Sequence, residues 1–419
     1  MIVFCIKVIT LSRKRKHTIL KYCENLPRSR SIMITLHYYK MTDLCSSKYD
    51  AFMKLCRLLP IITLLLITAC SSLPKASKNT AKAEITALTF IDEAIIPATT
   101  TYEGTKVGGL SSIDYANGQW FMICDDRAQP RFYTARITTS GAGISQPEFT
   151  AVTYLKDNNN SLFTPGIADP EALRVTNDNH IIWSSEGNVA KGIQPFVRMA
   201  SQDGAYVKDM MVAPKFLISQ KDKGPRNNGV FEALTRDYSD NSYWITTELP
   251  LKQDGNEPTY KDSQSPVRIA HIKPDGTFAS EYVYMLDKVA RPGKLEVNGV
   301  TEILSYDKDS FLVLERSYAS GHSDGGNDVK IYKVNTAGAT DVRDIASLQE
   351  ASYTPVTKTL LLDMETLRPQ LTDGIIDNVE GMTFGPVLEN GKRSLVVISD
   401  NNFNSFGKQL NQLILFAVE

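Results

Sequence analysis

A two-part unit recurs along this chain and limits the folds that it can adopt. Each unit opens with an acid followed by a small or apolar residue and an apolar residue, and 13 to 20 residues later an apolar strand ends in a second acid. The opening acids are Glu171, Glu232, Glu302 and Glu380, and the closing acids are Glu186, Glu248, Glu315 and Asp400. A fifth copy has Gly108 in place of the opening acid and closes on Asp125 and Asp126. Such internal repetition is typical of repeat architectures.

The sequence beyond residue 84 has an all-β pattern. Apolar or alternating runs are separated by clusters of Gly, Asn, Asp and Pro, with almost no helical period. Each unit is followed by a third predicted strand, and all but the last by a fourth. The third strands are 131–137, 195–201, 266–272, 329–334 and 413–418, and the fourth strands are 148–155, 205–212, 280–286 and 358–364.

Four antiparallel strands in each repeat predict a β-propeller, which protects its sheet edges by closing into a ring. The last repeat has three strands, so we expect the N-terminal strand 84–97 to supply its fourth and close the ring. Five blades are recognisable. The spacing of 61 to 78 residues between repeats leaves room for a sixth blade within 318–378. A pair of β-sandwiches is the alternative fold.

Residues 53–70, MKLCRLLPIITLLLITAC, have the layout of a secretory signal peptide. Lys54 and Arg57 precede an apolar run that is too short for a bilayer core of roughly 30 Å. The last four residues resemble a bacterial lipobox, which predicts a lipid on Cys70 and a lipid-anchored protein of the cell envelope. Ser71 favours the outer membrane, facing the periplasm. An ordinary signal peptide with a chance cysteine is the alternative.

The remaining segments follow from this signal. We interpret residues 1–52 as an upstream extension from a start codon assigned too early, since a signal peptide must begin the protein. A basic cytoplasmic tail before a retained anchor is the alternative. Residues 71–83 are small and polar and predict a tether. Residues 84–419 form the predicted propeller domain.

Net charge limits the classes of molecule that the chain can bind, and cysteine content limits its disulfides. The chain has a net charge of −1, of which residues 1–52 contribute +7 and residues 53–70 contribute +2, so residues 71–419 carry about −10. An acidic surface argues against nucleic-acid binding and is compatible with a cation site. Beyond Cys70 the only cysteine is Cys124, so this part of the chain has no internal disulfide. We expect a monomer.

In a propeller the first strand of each blade lines a central channel, so the acids of the repeat are expected to meet at its mouth. Clustered carboxylates raise each other's pKa and require cations, hydrogen-bond donors or protons. Oxygen ligands without His or Cys suit Ca²⁺. The predicted metal ligands are Asp126, Glu171, Glu186, Glu232, Glu248, Glu302, Glu315, Glu380 and Asp400. Alternatively, these acids accept backbone hydrogen bonds or pair with Arg127 or Arg316 and are structural.

Two other chemistries are disfavoured. His180, His271 and His322 are widely spaced and form no zinc motif. The stretch GHSDG at 321–325 matches G-x-S-x-G, the pattern of a nucleophilic serine, here Ser323. That motif requires a helix after the serine, whereas the following residues predict a loop and another strand. A flexible turn is the preferred interpretation.

Five ordered motifs resemble the bacterial "esterase-like activity of phytase" family over residues 85–419. They are VGGLSSIDY with CDDR, DPEAL with SSEGN, NNGVFEAL, VTEIL with LERSY, and NVEGMTFGP with VISDNNF. The resemblance implies an exported, often lipid-anchored propeller that hydrolyses small phosphate esters or other esters. It makes Glu171, Glu232 and Glu380 catalytic candidates.

For a phytase-like reaction the resemblance also implies Ca²⁺ that holds the phosphate and polarises a water. Arg127, Arg226 and Arg316 would then bind the phosphate oxygens. The alternative function is a non-catalytic propeller that binds a partner or ligand in the cell envelope and contains structural calcium.

The lipidation site gives a first prediction. Cys70→Ala should abolish the incorporation of radiolabelled palmitate, because the lipid is attached through that thiol. Cys56→Ala, within the same predicted signal peptide, should leave labelling unchanged. Labelling of cells followed by gel electrophoresis measures both, and label retained by Cys70→Ala would contradict the assignment.

Overall fold

Each of the five repeats folds into one antiparallel, four-stranded sheet in the computed structural model. The structure describes residues 84–210, 212–237, 239–263 and 265–419. Residues 1–83, which include the predicted signal peptide, Cys70 and the tether, lie outside the described residues. The first strands of neighbouring sheets contact one another around a common axis. The all-β propeller prediction is therefore confirmed with five blades, and segment 318–378 supplies strands of blade 4 rather than a sixth four-stranded sheet.

Each blade has four strands, counted outward from the axis. The first strands of blades 1 to 5 are Leu110–Ala116, Pro170–Val175, Ala233–Arg236, Glu296–Asp307 and Asn378–Val387. The second strands are Gln119–Cys124, Ile181–Ser185, Tyr243–Thr246, Ser310–Ala319 and Arg393–Asp400. The third strands are Arg131–Arg136, Phe196–Ala200, Pro266–Ile272, Asn327–Asn335 and Asn411–Val418. The outer strands are Glu148–Tyr154, Tyr206–Asp209, Phe278–Met285, Thr357–Asp363 and Leu88–Ile96.

The connections contain only short regular elements. Two small hairpins pair Thr101–Tyr102 with Thr105–Lys106 and Thr139–Ser140 with Gly143–Ile144. The 3₁₀ helices are Val189–Lys191, Pro214–Phe216, Met364–Gln370, Thr372–Gly374 and Asn402–Asn404. Within the described ranges, no helix has both the length and the apolar character that a membrane span requires.

The N-terminal strand closes the ring, as predicted. Leu88–Ile96 pairs antiparallel with Asn411–Val418, with Leu88 opposite Val418 and Ile96 opposite Asn411. The N–H of Thr86 donates to the carbonyl of Glu419 at 2.8 Å. The outer strand of blade 5 therefore comes from the opposite end of the domain, and no blade is left with three strands.

The apolar core is divided among the interfaces between blades. Strands are buried on both faces, so each interface encloses its own cluster of aliphatic and aromatic side chains. Trp120, Trp183 and Trp244 all lie on second strands and are buried in three different interfaces. Burial of these large rings stabilises the contacts between neighbouring blades.

An ion pair lies across the channel axis. Arg174, on the first strand of blade 2, contacts Glu302 of blade 4 at 2.6 Å, and both side chains are almost fully buried. Its Nη1 also donates to the hydroxyl of Ser112 and the carbonyl of Ile113, both at 3.1 Å and both in blade 1. Burial raises the pKa of Glu302 to about 7 although Arg174 opposes the shift. The pair joins blades that are not neighbours in the ring.

This pair provides a test of what holds the ring together. Arg174→Met should lower the free energy of unfolding by about 3–5 kcal/mol, because it leaves the carboxylate of Glu302 buried without a positive charge beside it. Urea unfolding measures the change. Arg136→Met, which removes an exposed ion pair with Glu148, is the control and should have little effect. Equal losses in the two variants would contradict the assigned role.

Candidate functional site

Carboxylates from four blades meet around one cavity at the channel mouth. This mouth cavity has a volume of about 470 Å³. Its lining includes Asp125, Asp126, Arg127, Glu171, Asn228, Glu232, Arg316, Glu380, Asp400, Asn402, Phe403, Ser405 and Phe406. Acids, two arginines and two aromatic rings therefore share one solvent-filled space.

A recurring irregularity in the first strands directs the opening acids into this cavity. Each of the first strands of blades 1, 2, 4 and 5 shifts register against its second strand near its mouth end. Such β-bulges leave a residue unpaired and redirect its side chain. The bulge position is the residue that follows the pair on the mouth side of the register shift, and blade 3 has an equivalent residue beyond the hydrogen bond between Val230 and Glu248. The position is occupied by Ser111, Glu171, Glu232, Thr301 and Glu380.

The second strands supply a matching position where they end. Asp125, Glu186 and Glu248 donate their backbone N–H to the first strand or its approach, at the carbonyls of Gly109, Asp169 and Val230. Arg316 and Asp400 are opposite the equivalent residues, Gly299 and Asn378. The closing position is thus occupied by Asp125, Glu186, Glu248, Arg316 and Asp400.

Blade 4 is one residue out of phase with the unit read from the sequence. Its bulge position holds Thr301 and its closing position holds Arg316, so the predicted ligands Glu302 and Glu315 each lie one residue away. Since successive residues of a strand point to opposite faces, neither acid points into the mouth cavity. Glu302 pairs with Arg174. Glu315 accepts hydrogen bonds from Lys358, Tyr284 and Asn298 between blades 3 and 4.

Blade 1 departs from the sequence alignment in a similar way. Ser111, rather than Gly108, occupies its bulge position. Gly108 and Gly109 instead make room for a neighbouring aromatic ring, since a Cβ at Gly109 would lie 2.5 Å from the ring of Phe403 and 2.0 Å from Oδ1 of Asp125. Of the two acids that close this unit, Asp125 is the one at the closing position. Asp126 borders the cavity and pairs with Arg131.

The predicted phosphate-binding arginines have different surroundings. Arg127 is half exposed, contacts Asp169 and donates to Oδ1 of Asn228 at 3.1 Å. Arg316 donates through Nη2 to Glu248 at 2.9 Å, while its buried Nε has no hydrogen-bond partner in the described residues. Arg226 does not line the cavity. Its guanidinium donates to the carbonyls of residues 250 and 255 and to the carboxylate of Glu257.

Eight acids make up the mouth cluster: Asp125, Asp169, Glu171, Glu186, Glu232, Glu248, Glu380 and Asp400. Seven are buried and Asp125 is half-buried. Burial raises the pKa of every member, and neighbouring carboxylates raise several of them further. The pKa values of Glu186 and Glu380 reach about 8, although backbone donors oppose the shift at Glu186 and Arg316 opposes it at Glu380. Two arginines are too few to neutralise the cluster when it is ionised.

Three members of the mouth cluster have the spacing of a cation site. Asp169, Glu171 and Glu186 each have a carboxylate oxygen within 4.8 Å of the others. Asp169 and Glu186 also line a cavity of about 10 Å³, about the space that one ion or water requires. Oδ1 of Asp169 is buried without a hydrogen-bond partner in the described chain, although Arg127 contacts Oδ2. This all-oxygen donor set fits a hard cation such as Ca²⁺.

Two members of the mouth cluster, Asp125 and Asp169, were not among the predicted ligands. A consistent alignment of the strand ends would have identified Asp125, because it occupies the same closing position as Glu186 and Asp400. Asp169 precedes the repeated unit, in the stretch Asp-Pro-Glu, and only its proximity to Glu186 in the folded chain indicates a role.

A second group of potential ligands lies on blade 3. Asp237, Asp240 and His271 have ligand atoms within 4.8 Å of one another. Both carboxylates are already hydrogen-bonded, to the indole of Trp244 and to the backbone of Ser242 respectively. His271 stacks on Trp244 with ring centroids 4.1 Å apart. These contacts account for the group as part of the blade structure.

The GHSDG stretch lies between two strands of blade 4. Ser310–Ala319 precedes it and Asn327–Asn335 follows it, so Ser323 has no helix after it. Asp324 of the same turn forms an ion pair with Arg291 at 2.7 Å. This agrees with the interpretation as a turn.

Comparisons with known proteins identify the family. The family model described as "Phytase-like: Esterase-like activity of phytase" matches residues 105–403, which confirms the resemblance predicted from the five motifs. A comparison with curated protein sequences gives no match. An endo-arabinase structure from Bacteroides thetaiotaomicron is 10% identical, with a TM-score of 0.40, over 79% of this chain and 98% of that chain. A thermostable family-43 glycoside hydrolase is 11% identical, with a TM-score of 0.42, over 76% of this chain and 92% of that one. Similarities this distant do not indicate the reaction.

The raised pKa values of the mouth cluster predict an unusual dependence of stability on pH. An acid whose pKa is higher in the folded state contributes stability that is complete below its ordinary pKa and is lost as pH rises through the folded value. For Glu186 and Glu380 that value is about 8. In EGTA the melting temperature should therefore fall as the pH rises from about 4.5, the ordinary pKa of glutamate, to about 8.

Added calcium should reverse this fall, because a bound cation replaces the protons that the cluster loses. The increase in melting temperature caused by calcium should be larger at the higher pH. Glu148→Gln, on the outer strand of blade 1, is the control and should behave like the parent chain. A melting temperature in EGTA that is constant over this pH range would contradict the electrostatics described above.

Proposed function

Because this chain belongs to the phytase-like family described as esterase-like activity of phytase, we propose that it is a calcium-dependent hydrolase of small phosphate esters or related esters. The reaction takes place in the mouth cavity. The observation that carries the proposal is the mouth cluster itself, in which eight carboxylates face two arginines. When the acids of this site are ionised, a bound cation would compensate their charge and allow an anionic ester to bind.

Asp169, Glu171 and Glu186 would hold the cation. Bound Ca²⁺ supplies positive charge that attracts the phosphate and polarises a water. The all-oxygen ligand set and the unpartnered Oδ1 of Asp169 support this assignment. Compared with the nine ligands expected from sequence, the proposed set is smaller and includes one new residue.

Arg127 and Arg316 would bind the oxygens of the ester. Arg316 lines the cavity, and its buried Nε has no hydrogen-bond partner in the described residues. Arg127 is half exposed at the rim. Guanidinium groups form charge-assisted hydrogen bonds with phosphate oxygens and fix their orientation. Arg226 is engaged elsewhere and is not included.

Glu232 and Glu380 would donate and accept protons during the reaction. Burial raises the pKa of Glu380 to about 8, so this carboxyl is protonated near neutral pH, and burial shifts the pKa of Glu232 in the same direction. A protonated carboxyl can donate its proton to the oxygen of the departing alcohol while a water attacks the phosphorus or the acyl carbon of the ester. The products are then the free alcohol and the phosphate or acid, and a proton from the attacking water restores the carboxyl. No nucleophilic side chain is required.

The location of the protein remains part of the proposal. A lipid on Cys70 and the tether 71–83 would hold the domain at a membrane of the cell envelope, with the outer membrane favoured. The substrate would then be a small molecule of the periplasm. We retain the non-catalytic alternative, a binding module with structural calcium, as an outcome of the experiment below.

Hydrolysis of p-nitrophenyl phosphate and phytate by the purified full-length chain tests the proposal. We expect turnover with calcium and its loss in EGTA. Glu380→Gln should reduce kcat at least ~100-fold, the usual contribution of a general acid. Glu171→Gln should raise the calcium concentration required. Glu148→Gln is the control.

Melting temperatures of the same variants separate catalysis from structure. Turnover lost without a fall in melting temperature supports the hydrolase. If no ester is cleaved and calcium only raises the melting temperature, the proposed reaction is excluded and the binding module is favoured.

A further inference from the structure

One wall of the mouth cavity is aromatic. It comes from the aromatic loop, residues 401–407, which joins the second and third strands of blade 5. Phe403 and Phe406 are the aromatic residues that line the cavity. Phe406 is 85% exposed, the most of any large apolar side chain in the described ranges. A single exposed apolar side chain is common on protein surfaces, so the informative feature of Phe406 is its position in the lining of the mouth cavity.

The loop is held in a conformation that phenylalanine disfavours. Asn402, Phe403 and Asn404 have φ values of 44°, 51° and 60°. Asparagine tolerates this left-handed region, whereas for a bulky residue such as phenylalanine it is strained. Strain of this kind persists where the surroundings impose it and is concentrated at functional sites.

Hydrogen bonds from three segments impose the conformation. Oδ1 of Asp400 accepts from the N–H of Asn402 at 2.7 Å, and Oδ1 of Asn404 accepts from the N–H of Gln409 at 2.8 Å. The amine of Lys106 donates to the carbonyl of Phe403 at 2.8 Å. Together with the space left by Gly108 and Gly109, these contacts fix the ring of Phe403 beside Asp125.

The asymmetry of the cavity defines what could bind. Cation-binding acids and arginines recognise the charged end of an ester, but they offer nothing to an apolar group. Phe403 and Phe406 offer ring faces, on which flat rings and the C–H faces of saturated rings stack. A ligand that covers Phe406 would also remove its apolar surface from water.

We propose that Phe406, with Phe403 beside it, binds the alcohol part of the substrate, so that the site selects esters of ring-bearing alcohols over those of open-chain alcohols. This rests on the proposed ester hydrolase. Phe406 is a specificity-determining residue in this scheme, and the ring on the substrate is either aromatic or saturated.

Binding of three phosphonates with six carbons each tests the inference. Phenylphosphonate, cyclohexylphosphonate and n-hexylphosphonate are titrated calorimetrically into the full-length chain in calcium buffer. We expect at least one ring ligand to bind about fivefold more tightly than n-hexylphosphonate. The comparison of phenyl with cyclohexyl identifies the type of ring.

Variants of the aromatic loop test whether it causes the preference for ring ligands. Phe406→Leu keeps an apolar side chain without a ring and should reduce the preference to near one, whereas Phe406→Trp should retain it. Leu295→Ala, 66% exposed on another loop, is the matched control. Phe403→Leu, accepted only if its melting temperature matches the parent, should weaken the preference. Equal affinities in the parent, or a preference that Phe406→Leu retains, would overturn the inference.

Kinetics with cyclohexyl and n-hexyl phosphate separate the two proposals, since the two leaving alcohols have similar chemistry. If the chain prefers ring ligands in binding but hydrolyses neither ester, the proposed hydrolase is contradicted and the role of Phe406 is supported. If it hydrolyses both esters with equal kcat/KM and binds the phosphonates equally, the hydrolase is supported and the role of Phe406 is contradicted.

Discussion

The ion pair between Arg174 and Glu302 connects the symmetry of the ring to the chemistry of its mouth. Five first strands converge on the axis, and their deeper side chains must fill it. A buried guanidinium and carboxylate do so while bonding to several blades. The first strands that supply this pair also carry the bulge positions, so the convergence that brings Arg174 to Glu302 also gathers the mouth cluster. Burial within that cluster raises the pKa of its acids.

Repetition and its interruption in blade 4 together create the site. Three blades offer an acid at the bulge position and four offer an acid at the closing position, a set that would repel itself. The shift of one residue in blade 4 replaces a fifth closing acid with Arg316 and sends Glu302 to pair with Arg174. The same local change thus supplies a cation to the mouth and an anion to the axis. The channel is charged unequally around its circumference as a result.

Much of the fold was readable from sequence, because strand length and turn residues are local properties. The grouping into five blades was predicted, and the ends of the third, fourth and closing strands were predicted to within four residues. Which residues of a strand face the channel was not predicted correctly in blade 4. The stretches Glu-Ala-Leu and Glu-Ile-Leu read alike, yet Glu171 sits in a bulge and Glu302 follows one. A one-residue shift reverses the direction of a side chain, and only the pairing of strands reveals it. Asp169 and the engaged Arg226 likewise depend on contacts between distant segments.

The closure of the ring has a consequence for how this chain reaches its native state. Strand Leu88–Ile96 is made early, but its partner, Asn411–Val418, is made last. During synthesis the first strand must wait with its backbone unpaired until the last strand of blade 5 has been made. An exposed strand edge is an aggregation hazard, and contacts so distant in sequence form slowly. Phe90, Asp92 and the bulge between them interrupt this strand, a feature that makes the waiting segment a poorer template for neighbouring chains.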